Sequence, residues 1–462
     1  MKKWTWLLVV LVAALLALPG WVGRMLEPQL LKHLQYLSDS ERALGLQVHS
    51  IERGWFTTRV LFDLKPAGLS RFLGGTQSVA QVDTLQLVAD VRHGPFGLLD
   101  GPFLGQFRAL VEPGRNNPRV AEFVRLAGLK RLFALQVTGH FDGSRQLRLS
   151  VPPIAASSAT LLDDTETGTI RFSGLTLDGD WQPAQALKLR GGFGSLLVEG
   201  ALAQFRVAGA TLQMDARALA EHLWLGPLAL QFEALDLRSK GQPPSLALQS
   251  LALALKSTAQ PGASTTDLTV SARASALSAP GVAVTDANLT ASTAQLPIAL
   301  LADYAASGNR EQLLQALVAA APTVLFNPIA FTADGQALAG KLQLATSADA
   351  RRGADSVSWT DPVVWLAMLK ADGAVQVAQP LAERMVAAVL GTQMRTELGD
   401  QGEIGFDQID VMAALQAPLR LTSFVNQGWV RESGDGYAVA LRYQAGTLHL
   451  NDQIVPLSAL AQ

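Results

Sequence analysis

Cysteine is absent from all 462 positions. That one absence excludes a disulfide framework, a lipid-modified N-terminal cysteine and every thiolate metal site. Charge is also scarce. Charged residues are 16% of the chain, the formal net charge is -2, and the basic residues are scattered, so there is no electrostatic footprint for nucleic acid and none is expected as a partner. Signatures of catalysis are missing as well. There is no Gly-x-Ser-x-Gly elbow and no His-Glu-x-x-His, and the six histidines, His33, His49, His93, His140, His222 and His449, stand apart from one another. Without a polar cluster of known spacing, no cofactor, no metal and no catalytic residue is expected, and the chain reads as non-enzymatic.

What is abundant is apolar surface: 49% of residues are hydrophobic. The chain opens MKKWTWLLVVLVAALLALPGWVGR, two lysines followed by an uncharged run from Trp4 to Gly23. At ~1.5 Å per residue this run spans roughly 30 Å, the thickness of a bilayer's hydrocarbon core. Ala17-Leu18-Pro19-Gly20-Trp21 offers no clean Ala-x-Ala cleavage site, so the expectation is an uncleaved anchor over residues 1–23, with Lys2 and Lys3 cytoplasmic. The partner implied through residues 4–23 is the inner membrane. The bulk of the chain is expected in the periplasm of a Gram-negative cell. Leu30, Leu34 and Leu37 behind Pro28 then predict an amphipathic helix within residues 24–44.

Beyond residue 45 the apolar period becomes two. Leu85, Leu87, Ala89 and Val91 alternate with polar or small neighbours, as do Leu147, Leu149 and Val151, then Leu187 and Leu189, then Leu228, Leu230 and Phe232, then Leu251, Leu253 and Leu255. Such alternation predicts half-buried strands. Phe141-Asp142-Gly143-Ser144, Asp178-Gly179-Asp180 and Gln242-Pro243-Pro244 read as turns between them, and turns this short imply antiparallel pairing. Helical spacing interrupts at Leu296–Tyr304 and Glu311–Val318, joined around Ser307-Gly308-Asn309, and again at Pro362–Leu369 and Pro380–Leu390. Strands resume at Trp429 and end with Tyr437 to Leu457, with Gly434-Asp435-Gly436 and Gln444-Ala445-Gly446 as turns. The expected class is mainly β with α (α+β): an N-terminal transmembrane helix, then a large, curved antiparallel sheet with a few helices in the C-terminal half. The expected organisation is anchor 1–23, amphipathic helix 24–44, long β region 45–295 and a mixed helix/strand region 296–462, the last two continuous.

One stretch looks like chemistry. GLQVHSIERGWFTTRVLFDL, Gly45 to Leu64, crowds His49, Glu52, Arg53 and Trp55 together. Strict alternation puts Val48, Ser50 and Glu52 on one strand face and Gln47, His49 and Ile51 on the other, so His49 and Glu52 cannot easily share a substrate. Arg53-Gly54 falls where a hairpin turns, with glycine tolerating a positive φ, and Trp55 and Phe56 would plug the core beside it. The stretch is structural on this reading.

The same residues carry a resemblance. GLQVHSIERGWFTTRVLF, with Gly54-Trp55-Phe56 after a short strand, resembles the start of the YdgA-like family of bacterial envelope proteins of unestablished function. RHGPFG, holding His93-Gly94-Pro95, is similar to that family's turn after the next strand, and YQAGTLHLNDQIVPL, with Asn451, to its closing hairpin. The resemblance implies location and architecture and brings no catalytic residue. It marks Gly54, Trp55, Phe56, His93, Gly94, Pro95 and Asn451 as candidate structural positions. Read by itself, His93 in its turn is expected to cap a turn carbonyl.

Other constellations read blandly. Glu397, Asp400, Glu403, Asp407 and Asp410 lack the ligand spacing of a calcium loop and read as a solvated loop entering a helix. Arg190-Gly191-Gly192-Phe193-Gly194 lacks the Lys-Ser/Thr ending of a phosphate loop and reads as a glycine turn. Two functions remain. One is a module that binds or moves lipid, lipoprotein or another apolar ligand on an open sheet face; the other is a scaffold that self-associates or docks envelope proteins.

Overall fold

The computed structural model describes residues 46–64, 85–93, 105–114, 118–157, 168–200, 203–220, 223–239, 244–260, 262–279, 282–307, 310–346, 368–398, 406–444 and 446–455. Contacts divide the chain into two units. The first holds β1 (Leu46–Arg53), β2 (Thr57–Leu64), β3 (Leu85–His93), β4 (Phe107–Pro113), α1 (Pro118–Leu126), β5 (Ala134–Gly139), β6 (Arg145–Val151), β7 (Ile154–Ser157), β8 (Thr169–Phe172), β9 (Leu175–Gln182), β10 (Ala186–Glu199), β11 (Ala203–Ala220) and β12 (Leu223–Leu225). The residues of β13 (Leu228–Ser239) divide between the units. The second holds β14 (Pro244–Ser257), β15 (Thr265–Ala279), β16 (Val282–Pro297), β17 (Val324–Ala333), β18 (Gln336–Thr346), β19 (Leu369–Ala378), α4 (Gln379–Leu398), α5 (Phe406–Asn426), β20 (Arg431–Ser433), β21 (Gly436–Gln444), β22 (Thr447–Leu450) and β23 (Gln453–Val455). Helices α2 (Ile298–Ser307) and α3 (Arg310–Ala320) follow β16.

Every ladder defined by the described residues is antiparallel. In the first unit β1 to β6 pair in chain order, β6 then pairs β9, and β9 and β8 share one edge of β10, whose other edge takes β11. In the second unit β14 to β19 pair in chain order and β19 pairs β21.

Among the described residues, a core in each unit follows from the alternation. Val60 and Phe62 of β2 meet Leu87 and Ala89 of β3, with Val48, Ile51 and Phe133 packed against them. In the second unit Leu381 of α4 lies on Ala333 and Leu338, beside Phe331 and Val377.

Several expectations need correction. The transmembrane helix and the amphipathic helix of residues 24–44 lie outside the described residues, and among the described residues no helix is long and apolar enough to cross a membrane. Among the described residues the fold class is therefore a mostly antiparallel sheet protein, with 64% strand and 20% helix, and the membrane helix expected ahead of the sheet is not among the elements found. Helices are not confined to the C-terminal half either, because α1 interrupts the first unit. The pair expected around Ser307 is present as α2 and α3, and Pro380–Leu390 lies within α4. Pro362–Leu369 is outside the described residues except for Met368 and Leu369, and Leu369 opens β19.

Two expected turns are strand interiors. Asp178-Gly179-Asp180 lies within β9, and Arg190 to Gly194 within β10, hydrogen-bonded on both edges for much of its length. The chain turns between β9 and β10 at Pro183-Ala184-Gln185 instead, with Ala184 at φ 56°.

Candidate functional site

The Gly-Trp-Phe segment is a turn, as its sequence suggests. Gly54 N–H donates to Thr57 carbonyl at 2.7 Å, closing β1 onto β2. Its φ is not positive; glycine suits the site because a Cβ would lie 3.0 Å from Thr57 Oγ1 and 3.2 Å from Thr57 O. Trp55 is 60% exposed and Phe56 41%, so neither plugs the core. The alternation also breaks at His49, where the β1–β2 register shifts between Val48 and Ser50. This bulge lets Val48 and Ile51, three apart, both pack on the Val60–Phe62 core. His49 is left exposed with Asp63 3.9 Å away.

The two N-terminal motifs meet in space. His93 N–H donates to Phe56 carbonyl at 2.8 Å, extending the β2–β3 ladder, and His93 Nε2 lies 2.8 Å from Thr58 Oγ1. The ring bonds a hydroxyl across the sheet and does not cap a turn carbonyl. Gly94 and Pro95 lie outside the described residues. His93 is 6% exposed, and burial, reinforced by the Arg53 charge, pushes its pKa below the usual histidine value. The folded ring is neutral while the unfolded one titrates near ~6.5. Its stabilising contribution is complete above that value and is lost as pH falls through the folded pKa. His93→Gln, which keeps a polar group for Thr58, is expected to flatten the fall in Tm between pH 7 and pH 5; equal slopes in both proteins would remove His93 from the account.

Asn451 is the most heavily bonded of the motif residues. It starts the two-residue turn from β22 to β23, with φ 48° at Asn451 and 71° at Asp452. Strands β20 and β22 share one edge of β21 but leave a gap between Ala438 and Leu441. The Asn451 side chain fills it as a peptide group would: Oδ1 accepts from Ala440 N–H at 2.8 Å, and Nδ2 donates to Trp429 carbonyl at 2.9 Å and more weakly to Ala438 carbonyl. Its backbone N–H donates to Ala440 carbonyl at 2.8 Å. A buried side chain with both amide ends used is a latch.

In the second unit one face of the sheet is aliphatic across seven strands. The register aligns Leu253, Ala272, Leu289, Ile329, Gly340, Val375 and Val439 in one row. The adjacent row runs Leu255, Val270, Ala291, Phe326, Leu342, Gly373 and Leu441. Two borders of this face are covered, one by Leu381 of α4 and the other by Trp429 against Leu441 and Tyr443. Between them the sheet is open: Leu253 is 37% exposed, Val270 51%, Leu289 43% and Val375 37%. Gly340 and Gly373 carry no side chain and lower the rows beside Val375. The strand alternation was the signal for such a face; which stretch of it stays open could be seen only from the packing of α4.

The first unit carries a polar counterpart. A hollow of 510 Å³ is lined by Gln136, Arg148, Asp178, Asp180, Lys188 and Arg190 among others. Register sets acids beside bases there, and Arg148 Nε donates to Asp178 Oδ1 at 2.6 Å. Among the described residues no group of three His, Asp or Glu side chains is placed to hold a metal ion, and Asp410 of the acidic stretch pairs with Arg395 at 2.6 Å.

No curated protein and no solved structure matches the chain. A family model described as "Bacterial protein of unknown function (DUF945)" matches residues 1–458, and the chain belongs to that family.

Proposed function

We propose that this protein, a YdgA-like member of its family, is a non-enzymatic component of the bacterial cell envelope that holds an apolar ligand, an acyl chain or lipid, against the open face of β14 to β19. The observation that carries the reading is the band of Leu253, Val270, Leu289 and Val375, exposed in mid-sheet between two covered borders. Together they present on the order of 300 Å² of aliphatic surface, the size at which exposed patches are often functional. At about 25 cal/mol per Å², covering it is worth on the order of 7 kcal/mol. Association entropy opposes this with a comparable term, so the ligand is held reversibly. That balance suits transfer or transient storage. The apolar run from Trp4 to Gly23 and the lysines before it support a location at the inner membrane with the body in the periplasm.

Mass spectrometry of molecules copurifying with the full chain is expected to find lipid. Val270→Glu and Leu289→Glu, on exposed sites, are expected to change stability by less than about 1 kcal/mol while abolishing that lipid. Absence of lipid from the parent protein, or collapse of both variants, would sink the binding reading. A C-terminal alkaline phosphatase fusion is expected to be active in the membrane fraction, and an inactive fusion would refute the location.

A further inference from the structure

We propose that the outward face of α5 is a homodimer interface at which two copies of this chain pair antiparallel about Leu415. On α5 the inward positions Ile409, Ala413, Ala417 and Leu421 are all buried, recurring every four residues. Val411, Leu415 and Leu419 share the same four-residue spacing on another face and are 59%, 71% and 72% exposed. A helix buries one apolar stripe in its own fold; a second stripe left in water calls for a partner.

Three observations select a second copy. The stripe is symmetric: with Leu415 on a two-fold axis, Val411 of one chain faces Leu419 of the other, so the surface is complementary to itself. Ala414 and Pro418 flank it, both short, and a ridge of residues four apart packs into the same ridge of a partner helix when the neighbours are small. From Val411 to Thr422 this face, read as Val411, Ala414, Leu415, Pro418, Leu419 and Thr422, carries no charge, so nothing repels across the axis. The area also fits: these six side chains expose roughly 500 Å² per chain, or about 1,000 Å² in a pair, at the lower limit for a specific interface. The dimer is accordingly weak and concentration-dependent. An anionic lipid surface is a poorer match, because the cations of the α4–α5 hairpin are engaged. Arg384 pairs with Asp334, Arg395 with Asp410, and Arg420 lies 5.3 Å over the Phe424 ring.

The absence of cysteine makes a direct test available, since any introduced thiol is the only one. In intact cells expressing the full chain, Leu415→Cys is expected to form a disulfide-linked dimer under mild oxidation at least roughly tenfold faster than Trp55→Cys, a control that is also well exposed, because docking raises the local thiol concentration. Coexpressed Val411→Cys and Leu419→Cys chains are expected to cross-link to each other faster than either does to itself. Equal rates at Leu415 and Trp55 overturn the proposal. If, in addition, vesicles of phosphatidylethanolamine and phosphatidylglycerol retain the parent protein but not Leu415→Glu, the stripe belongs to a lipid surface instead.

Discussion

Asn451→Ala is expected to destabilise the protein by about 4 kcal/mol, seen as a fall in the urea midpoint at unchanged slope. The side chain is removed from a buried site where Ala440 N–H and the Trp429 carbonyl have it as partner. Each buried group left unmade costs ~1 to 3 kcal/mol. Alanine must also hold the positive φ of 48°, for which asparagine is far better suited. Two further variants divide the sum. Asn451→Gly relieves the backbone and should recover only the smaller part. Asn451→Asp keeps the acceptor for Ala440 but sets a carboxylate against two carbonyls, and it should be as damaging as alanine at pH 7 and milder near pH 4. If Asn451→Ala cost less than about 1 kcal/mol, the latch would be incidental.

Gly192→Ala is the second large effect. Inside β10, a Cβ on Gly192 would lie 1.9 Å from the Ala210 carbonyl oxygen of β11, and one on Gly191 2.0 Å from the Thr176 carbonyl oxygen of β9. Backbone atoms of a strand with neighbours on both edges cannot retreat as a flexible side chain would. Relief requires breaking ladder bonds, and the loss should reach about 3 kcal/mol or leave the chain insoluble. A methyl group at Gly143, a turn glycine with open space around it but φ 84°, should cost only about 1 kcal/mol, through backbone strain. Circular dichroism melts of the two variants compare these directly. A mild Gly192→Ala would mean that β10 bends away from β11 more easily than its ladder implies.

Where the sequence was legible, the cause was periodicity backed by burial. Leu85, Leu87, Ala89 and Val91 alternate because one face of β3 packs on Val60 and Phe62, and that pattern survives folding unchanged. The helix pair at 298–320 was legible for a related reason, its glycine and proline falling at the ends. Misreadings came where one residue type serves two physical needs. Glycine marks a turn when φ must be positive, and it equally marks a close backbone approach, which is its use at Gly191 and Gly192. Nothing local distinguishes the two. The His49 bulge was invisible because a single extra residue resets the phase of a strand only when its partner does not follow. Trp55 illustrates the converse: its size and apolarity point to a core that β2 and β3 already fill with aliphatics and Phe62. Of the candidate positions, the meeting of His93 with Thr58 and the filling of a ladder gap by Asn451 depend on residues distant in the chain, which no window of sequence contains.

The pairing order of the second unit has a kinetic consequence. Strands β14 to β19 each bond to their neighbour in the chain, and β14–β15, β15–β16 and β17–β18 are joined by short connections, so these three hairpins can form as soon as they are synthesised, with little loop entropy to overcome. The next partner of β19 is β21, which begins at Gly436 after two long helices have been made. During that interval β19 is a bare edge of the kind that recruits other chains. The α4–α5 hairpin is thus a delay line, and the risk of aggregation during synthesis is concentrated in the time needed to translate it.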